Sequence, residues 1–353
     1  MSRYKAVLWF VLVVAVVAMS GCDLYLSPDS DDDSDVTVMT YNVYVGSDLL
    51  GLFSITDQRL IPGEVANVYD NVMATDFPAR AAAIAKSVKE HDPHLIGLQE
   101  ISLVRRESMP QDQTVTPPNA ADVILDFLAI LQAALQAESL MYEVAATVMN
   151  SDIELPMITE HGTIDHARLT TYDALLARSD VSVSRPSSAN YATRLPVSNL
   201  GGEVARGYVA VDATVAGVTY RVANTHLEAY HEPIRSAQAT ELVGVLSDES
   251  LPLIVMGDFN SVAPDGPVYN ILTASGYVDV WQEAAGAGYT CCQAADLKNE
   301  ETALARRIDL IFVRNAALAA AQTNTVGDQA SDRLESGLWP SDHAGVVAKL
   351  TFE

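Results

Sequence analysis

The spacing of apolar and polar positions changes along this chain, and each change marks an element. Residues 36–43 (VTVMTYNV) are rich in β-branched side chains and begin where a run of aspartates stops, which predicts a first strand. After a variable, Gly-containing stretch, Ala81, Ile84, Ala85 and Val88 fall at helical spacing within 78–90, and His91-Asp92-Pro93 closes that helix. The apolar run HLIGLQ (94–99) predicts a strand. Ile124, Leu128, Leu131 and Leu135 recur at helical intervals, so 122–137 reads as a second amphipathic helix. Further strands are predicted at 142–149, 173–177, 207–215, 218–225, 253–256, 308–313 and 346–352, with a helix at 233–246 that carries a proline near its start. Ala216-Gly217 makes the third and fourth of these strands a hairpin. Strands that alternate with helices yet also form tight hairpins predict an α+β fold: two largely antiparallel or mixed sheets packed together, with helices outside. No internal repeat and no long linker follows residue 36, so 36–353 reads as one domain.

Residues 1–21 stand apart. Arg3 and Lys5 precede the apolar run Ala6–Met19, and Ser20-Gly21 precedes Cys22, the order of an export signal. The run is short for a membrane span. Met19-Ser20-Gly21-Cys22 resembles a bacterial lipobox, which implies cleavage before Cys22 and attachment of diacylglycerol to its thiol. An uncleaved anchor helix and a signal cleaved elsewhere remain as alternatives, and either still exports the protein. Residues 22–35 carry six aspartates and little to bury, so they read as an acidic tether between lipid and domain. The expected location is therefore the cell envelope, lipid-anchored to a bacterial membrane.

Charge narrows the partners. The 353 residues hold 21 Lys+Arg against 46 Asp+Glu, a formal net charge of -25, which excludes a nucleic-acid binder held by a basic face. Outside Arg105-Arg106 and Arg306-Arg307 there is no cationic stripe. Trp281 and Trp339 stand apart, so no aromatic membrane-binding cluster is evident. Besides Cys22 only the adjacent Cys291 and Cys292 remain; they can close a vicinal disulfide and lack zinc-ligand spacing.

Polar side chains able to bind metal recur beside the apolar strands: Asn42, Glu100, His226, Asp258, Asn260, Asp309, Asp342 and His343. Should those strands end at one rim, the side chains converge. Phosphoester hydrolysis needs a hard cation, a base or positioner for water, and a donor near the leaving oxygen, and carboxylate, carboxamide and imidazole supply all three. His161, His166 and His231 read as solvated loop histidines outside that set.

TYNV (40–43), LIGLQE (95–100), NTHL (224–227), GDFN (257–260), RIDLIF (307–312) and SDH (341–343), in this order, resemble the motifs of the endonuclease/exonuclease/phosphatase superfamily with the deoxyribonuclease I-like fold. The resemblance spans nearly the whole of 36–353. It implies a four-layered α/β/β/α sandwich of two mixed sheets with a metal site at one edge. It further implies Mg²⁺, with Mn²⁺ or Ca²⁺ as alternatives, held by Glu100 and Asp342, with Asn42 holding the metal-bound phosphate or its water shell. Asp258, assisted by Asn260, would orient or deprotonate water, and His226 would donate to a phosphoryl oxygen. Asp309 would fix the tautomer of His343. Whether His343 or Asp258 accepts the proton stays open, as does one metal against two. Arg206 reads either as a contact to substrate phosphate or as half of an ion pair. The implied activity is hydrolysis of a phosphoester, by preference a phosphodiester. The alternatives are a secreted nuclease that scavenges nucleic acid and an inactive surface-binding lipoprotein of the same fold.

Overall fold

A computed structural model describes residues 35–108, 120–200, 202–283 and 286–353. The export segment 1–21, Cys22 and all of the acidic tether except its last residue lie outside them. That residue, Asp35, is held against the domain: Thr351 Oγ1 donates to it at 2.6 Å and Lys349 Nζ pairs with it at 3.0 Å.

The chain opens with β1 (Val36–Asn42), then α1 (Leu50–Ser54), α2 (Ile61–Ala74) and α3 (Phe77–His91). Next come β2 (Leu95–Ser108), β3 (Asp122–Asp126), α4 (Phe127–Ala137), β4 (Tyr142–Ile158) and β5 (Ile164–Arg178). There follow β6 (Ser182–Asn190), β7 (Leu195–Val197), β8 (Gly202–Val204), β9 (Gly207–Val215), β10 (Val218–His226) and α5 (Glu232–Val245). The last elements are β11 (Leu253–Asp258), α6 (Pro267–Ala274), β12 (Val278–Asp279), β13 (Asp309–Arg314), β14 (Leu318–Val326) and β15 (Gly345–Phe352).

One sheet runs β14-β15-β1-β2-β5-β4 with β3 beside β2, and the other runs β12-β13-β11-β10-β9-β6. Each contains a parallel pair, β1 with β2 and β10 with β11, and both sheets are therefore mixed. Val38, Leu95, Leu175, Val222, Ile254 and Ile311 fill the space between the sheets. Phe77, Ile84 and Leu131 seat α3 and α4 on the outer face of the first sheet. Leu242 and Leu272 seat α5 and α6 on the second. The result is the predicted α+β sandwich of two mixed sheets with helices outside.

Local chemistry accounts for where the sequence pattern succeeds and fails. Asp76 starts α3 by accepting from Ala79 N–H at 3.4 Å, and Asp92, at φ 41°, ends it. The expected helix over 122–137 is corrected at its start: Asp126 accepts from Ala129 N–H at 3.1 Å and caps α4, while Asp122–Asp126 pairs with β2 as an edge strand. A capping aspartate and an open strand edge outweigh the helical period there. The variable stretch after β1 holds α1 and α2, the latter with Pro62 in its first turn. β6 is exposed and polar along almost its whole length, so it offers no apolar alternation to detect.

Candidate active site

The two parallel strand pairs end at one place. Asn42, the last residue of β1, is the register partner of Gln99 on β2. Glu100 follows within a β-bulge, where the pairing with β5 shifts between Leu98 and Ile101 and Glu100 takes φ 61°. In the second sheet His226 pairs in register with Asp258, and Asp258 with Asp309. Gly257 lets β11 close on β10 just before Asp258: it sits at φ 149°, and a Cβ there would collide with the Thr225 carbonyl oxygen.

Asn42 ties the sheets together. Its Nδ2 donates to Glu100 Oε1 at 3.2 Å and to Asp258 Oδ2 at 3.1 Å, and its Oδ1 accepts from Tyr44 N–H at 3.0 Å. Glu100 Oε2 accepts from Val45 N–H at 2.8 Å. Asp258 is the centre of the cluster: His226 Nε2 lies 3.5 Å from its Oδ2 and His343 Nε2 lies 3.9 Å away. Asn260 N–H donates to Asp258 Oδ1 at 2.8 Å, while the Asn260 side chain turns to the Leu227 carbonyl at 3.0 Å.

Each imidazole has a partner behind it. His343 Nδ1 lies 2.8 Å from Asp309 Oδ2. Arg206 Nη1 is 3.0 Å from His226 Nδ1. A guanidinium only donates, so Nδ1 of His226 accepts and its proton sits on Nε2, toward Asp258. Arg206 Nε also faces the buried Glu228 at 3.9 Å. Arg206 thus lies in a charged network and also lines the cavity described below.

Electrostatics sorts the carboxyls. Burial favours a neutral Asp258, but His343, His226, the Asn260 N–H and Asn42 outweigh it and hold this carboxyl below its ordinary value. Burial works against a charged His343, yet Asp309, Asp342 and Asp258 hold its pKa well above the histidine norm. Burial raises Asp309 more than His343 lowers it, so the His343–Asp309 pair keeps its proton. Asp342 is pushed up to about 7, first by burial and then by Glu100.

Of the acids that line the cavity, Glu100 and Asp342 offer carboxylates suited to a divalent cation. Asp342 Oδ1 is fully enclosed and has no hydrogen-bond partner, and a second acid beside it raises its pKa, as expected where a cation belongs. Asp258, Asp309 and His343 also bring ligand atoms within 4.8 Å of one another. There, however, the nitrogen and oxygen of His343 and Asp309 already face each other at hydrogen-bond distance. Glu100, Asp342, His226 and Arg206 line a cavity of about 330 Å³.

Several supporting residues escaped the sequence reading. Buried Asp173 lies 3.7 Å from His226 Nδ1 and accepts from Asn150 Nδ2 at 2.7 Å. An acid at the head of the apolar run 174–177 of β5 was the available signal. Thr290 Oγ1 accepts from Ile308 and Asp309 N–H at 3.1 Å each. Cys291 and Cys292 pair as a vicinal disulfide in a segment that pairs alongside His343, and Arg306 Nη2 lies 3.1 and 3.2 Å from their sulfurs. His166 is no loop residue: it lies in β5, 3.3 Å from Glu154. His161 lies 3.5 Å from Glu160 on an exposed turn, and His231 precedes α5.

Arg80 supports the site from below. It is fully buried, and it donates to the carbonyls of Thr75, Val43, Tyr44 and Pro340 at 2.8, 2.6, 3.0 and 3.1 Å. Val43 and Tyr44 follow Asn42, and Pro340 precedes Ser341-Asp342, so one guanidinium pins both segments. Burial lowers its pKa to about 10, which leaves it charged at neutral pH. Arg80→Leu should cost about 3–5 kcal/mol of stability in urea unfolding, since it strands four buried carbonyls.

Residues 39–343 match the model of the Endonuclease/Exonuclease/phosphatase family. The chain belongs to that family. It is a hydrolase that acts on phosphoesters. Among solved structures, an endonuclease/exonuclease/phosphatase family protein from Bacteroides thetaiotaomicron covers 90% of this chain and 98% of its own at 17% identity, with a TM-score of 0.54. A mannosyl-6-phosphatase from the same organism covers 90% of this chain and 100% of its own at 17% identity, with a TM-score of 0.52. TDP2 of D. rerio, complexed with a single strand DNA product, covers 90% and 99% at 15% identity, with a TM-score of 0.51. These likenesses show the shared fold. No curated protein sequence matches the chain.

Proposed function

We propose that this family member is a Mg²⁺-dependent phosphodiesterase exported to the bacterial cell envelope and held there by lipid on Cys22. The observation that carries the reading is the enclosed, unpartnered Oδ1 of Asp342 next to Glu100, in the wall of the cavity that also holds His226 and Arg206. Glu100 and Asp342 would hold the cation, with Mn²⁺ or Ca²⁺ as substitutes. When bound, it neutralises phosphoryl oxygens.

The chain's own groups supply the rest. Asp258, kept ionised by the donors around it, accepts the proton of the attacking water, and the Asn260 N–H holds its other oxygen. His226 presents Nε2–H to a phosphoryl oxygen, its tautomer set by Arg206. His343, protonated through its pairing with Asp309, offers a second donor, its Nε2 3.9 Å from the Asp258 oxygen that His226 also faces.

A small or lipid-borne phosphodiester is favoured over long nucleic acid. Arg105 pairs with Asp152, Arg106 with Asp165 and Arg307 with Asp279, so three of the four cations in the Arg105-Arg106 and Arg306-Arg307 pairs are matched by carboxylates and form no phosphate-binding stripe. The test is hydrolysis of bis-p-nitrophenyl phosphate by the mature protein. Turnover should appear with Mg²⁺, vanish with EDTA and exceed that on p-nitrophenyl phosphate. Turnover indifferent to EDTA would defeat the metal assignment.

No helix of the described residues is long and apolar enough to cross a membrane. The proposed anchor is lipid on Cys22. Cys22→Ser should therefore abolish labelling by radioactive palmitate and move the protein from the membrane to the soluble fraction after lysis. Membrane retention without label would argue for an uncleaved anchor helix.

A further inference from the structure

The cavity at the candidate site is larger than a phosphate needs, and its far half has no role in the chemistry above. Beyond Glu100, Asp342 and His226 its walls are Leu52 and Phe53 from α1, Val65 and Val68 from α2, Leu155 from β4 and Leu169 from β5. Leu52 and Val65 are themselves buried, packed with Ile61 and Met157 in a cluster of their own, so the wall is a built surface.

Its charged groups argue against a second phosphate in this half. Of the two arginines that line the cavity, Arg168 donates Nε to Asp152 at 2.7 Å and Arg206 faces His226. Beyond the rim acids the lining adds Asp48. A second phosphate would find both cations engaged and a further acid opposing it. An apolar group, in contrast, gains by leaving water here. The volume, about 330 Å³, lies at the lower end of the roughly 300–1,000 Å³ of small-molecule sites.

We propose that the substrate is a phosphodiester with one compact alkyl ester group, seated between α1, α2 and the β4–β5 hairpin while the phosphate lies at the Glu100–Asp342 rim. The proposal rests on the hydrolase reading and narrows its substrate class. A lipid-borne diester and a soluble alkyl diester share this chemistry.

Two measurements test it. The first is kcat/KM on a series of p-nitrophenyl alkyl phosphates from methyl to hexyl with Mg²⁺. The value should rise by up to about fourfold per methylene until the pocket is full, the factor expected for burying each CH₂. Val68→Trp, which fills the pocket, and Leu155→Asn, which makes its wall polar, should flatten the series, bringing kcat/KM for the hexyl ester down toward that for the methyl ester. The second is calorimetric binding of methyl-, butyl- and hexylphosphonate to the Mg²⁺-loaded protein, with affinity expected to climb in the same order. A length-independent response in both would overturn the alkyl pocket while turnover kept the hydrolase reading intact. Binding that tightens with length, with no ester hydrolysed, would uphold the pocket and overturn the hydrolase reading. Detergent-dispersed dialkyl lipid phosphodiesters cleaved faster than the hexyl ester would identify the lipid-borne source; equal or slower cleavage would identify the soluble one.

Discussion

Glu100→Gln is expected to lower Mg²⁺-dependent turnover of bis-p-nitrophenyl phosphate by at least about 10²–10³-fold, the scale of losing a preorganised electrostatic partner of the transition state. Both oxygens of Glu100 accept hydrogen bonds, from Asn42 Nδ2 at 3.2 Å and Val45 N–H at 2.8 Å. A glutamine has the right size, but its NH₂ must face one of those donors, and one of the two adjacent negative charges disappears. The lost charge should also raise the Mg²⁺ concentration needed for half-maximal activity. Glu100 is held in a bulge at φ 61°, so its backbone position is set by β2 and not by its side chain, and the variant should fold. Initial rates across a Mg²⁺ titration check this. Activity above a tenth of wild type at saturating Mg²⁺ would remove Glu100 from the metal site.

His226→Ala should cost about 10²–10⁴-fold in kcat/KM, the contribution expected of a positioned proton donor. The buried imidazole stands between Asp258 on one side and Arg206 and Asp173 on the other, so its deletion leaves three charged groups facing a void. Thermal melting of the same samples separates that loss of stability from the loss of rate. Asp173→Asn acts through His226 as a positioning change and should cost about 10–100-fold. It should also alter the pH profile of kcat, which a merely structural role would not do. Wild-type rates in the folded His226→Ala variant would exclude the donor role.

The sandwich was legible because its central strands carry dense apolar runs that end in polar residues. VTVMTYN, LIGLQE and LIVMGDFN each combine a buried strand with the group that leaves it at the rim. Convergence at that rim was not legible from any one run, because Asn42 and Asp258 are 216 residues apart and meet only through the crossing of the two sheets. The wall of the alkyl pocket stayed hidden for a different reason. α1 and α2 pack their apolar faces into a small separate cluster with Met157, and Gly51, Pro62 and Gly63 interrupt the helical spacing. Asp173 and Arg80 were missed because the groups they serve, His226 and the carbonyls of Val43, Tyr44 and Pro340, are distant in sequence. The helix expected from 122 failed at a cap, where one aspartate outweighs a sound periodicity.

Mn²⁺ binding followed by electron paramagnetic resonance tests most directly whether the two rim acids hold the cation. One site per chain is expected in the wild type and in Asp309→Asn, with its loss in Glu100→Gln/Asp342→Asn. A site that survives the double substitution and disappears in Asp309→Asn would place the metal among Asp258, Asp309 and His343 and contradict its assignment to Glu100 and Asp342.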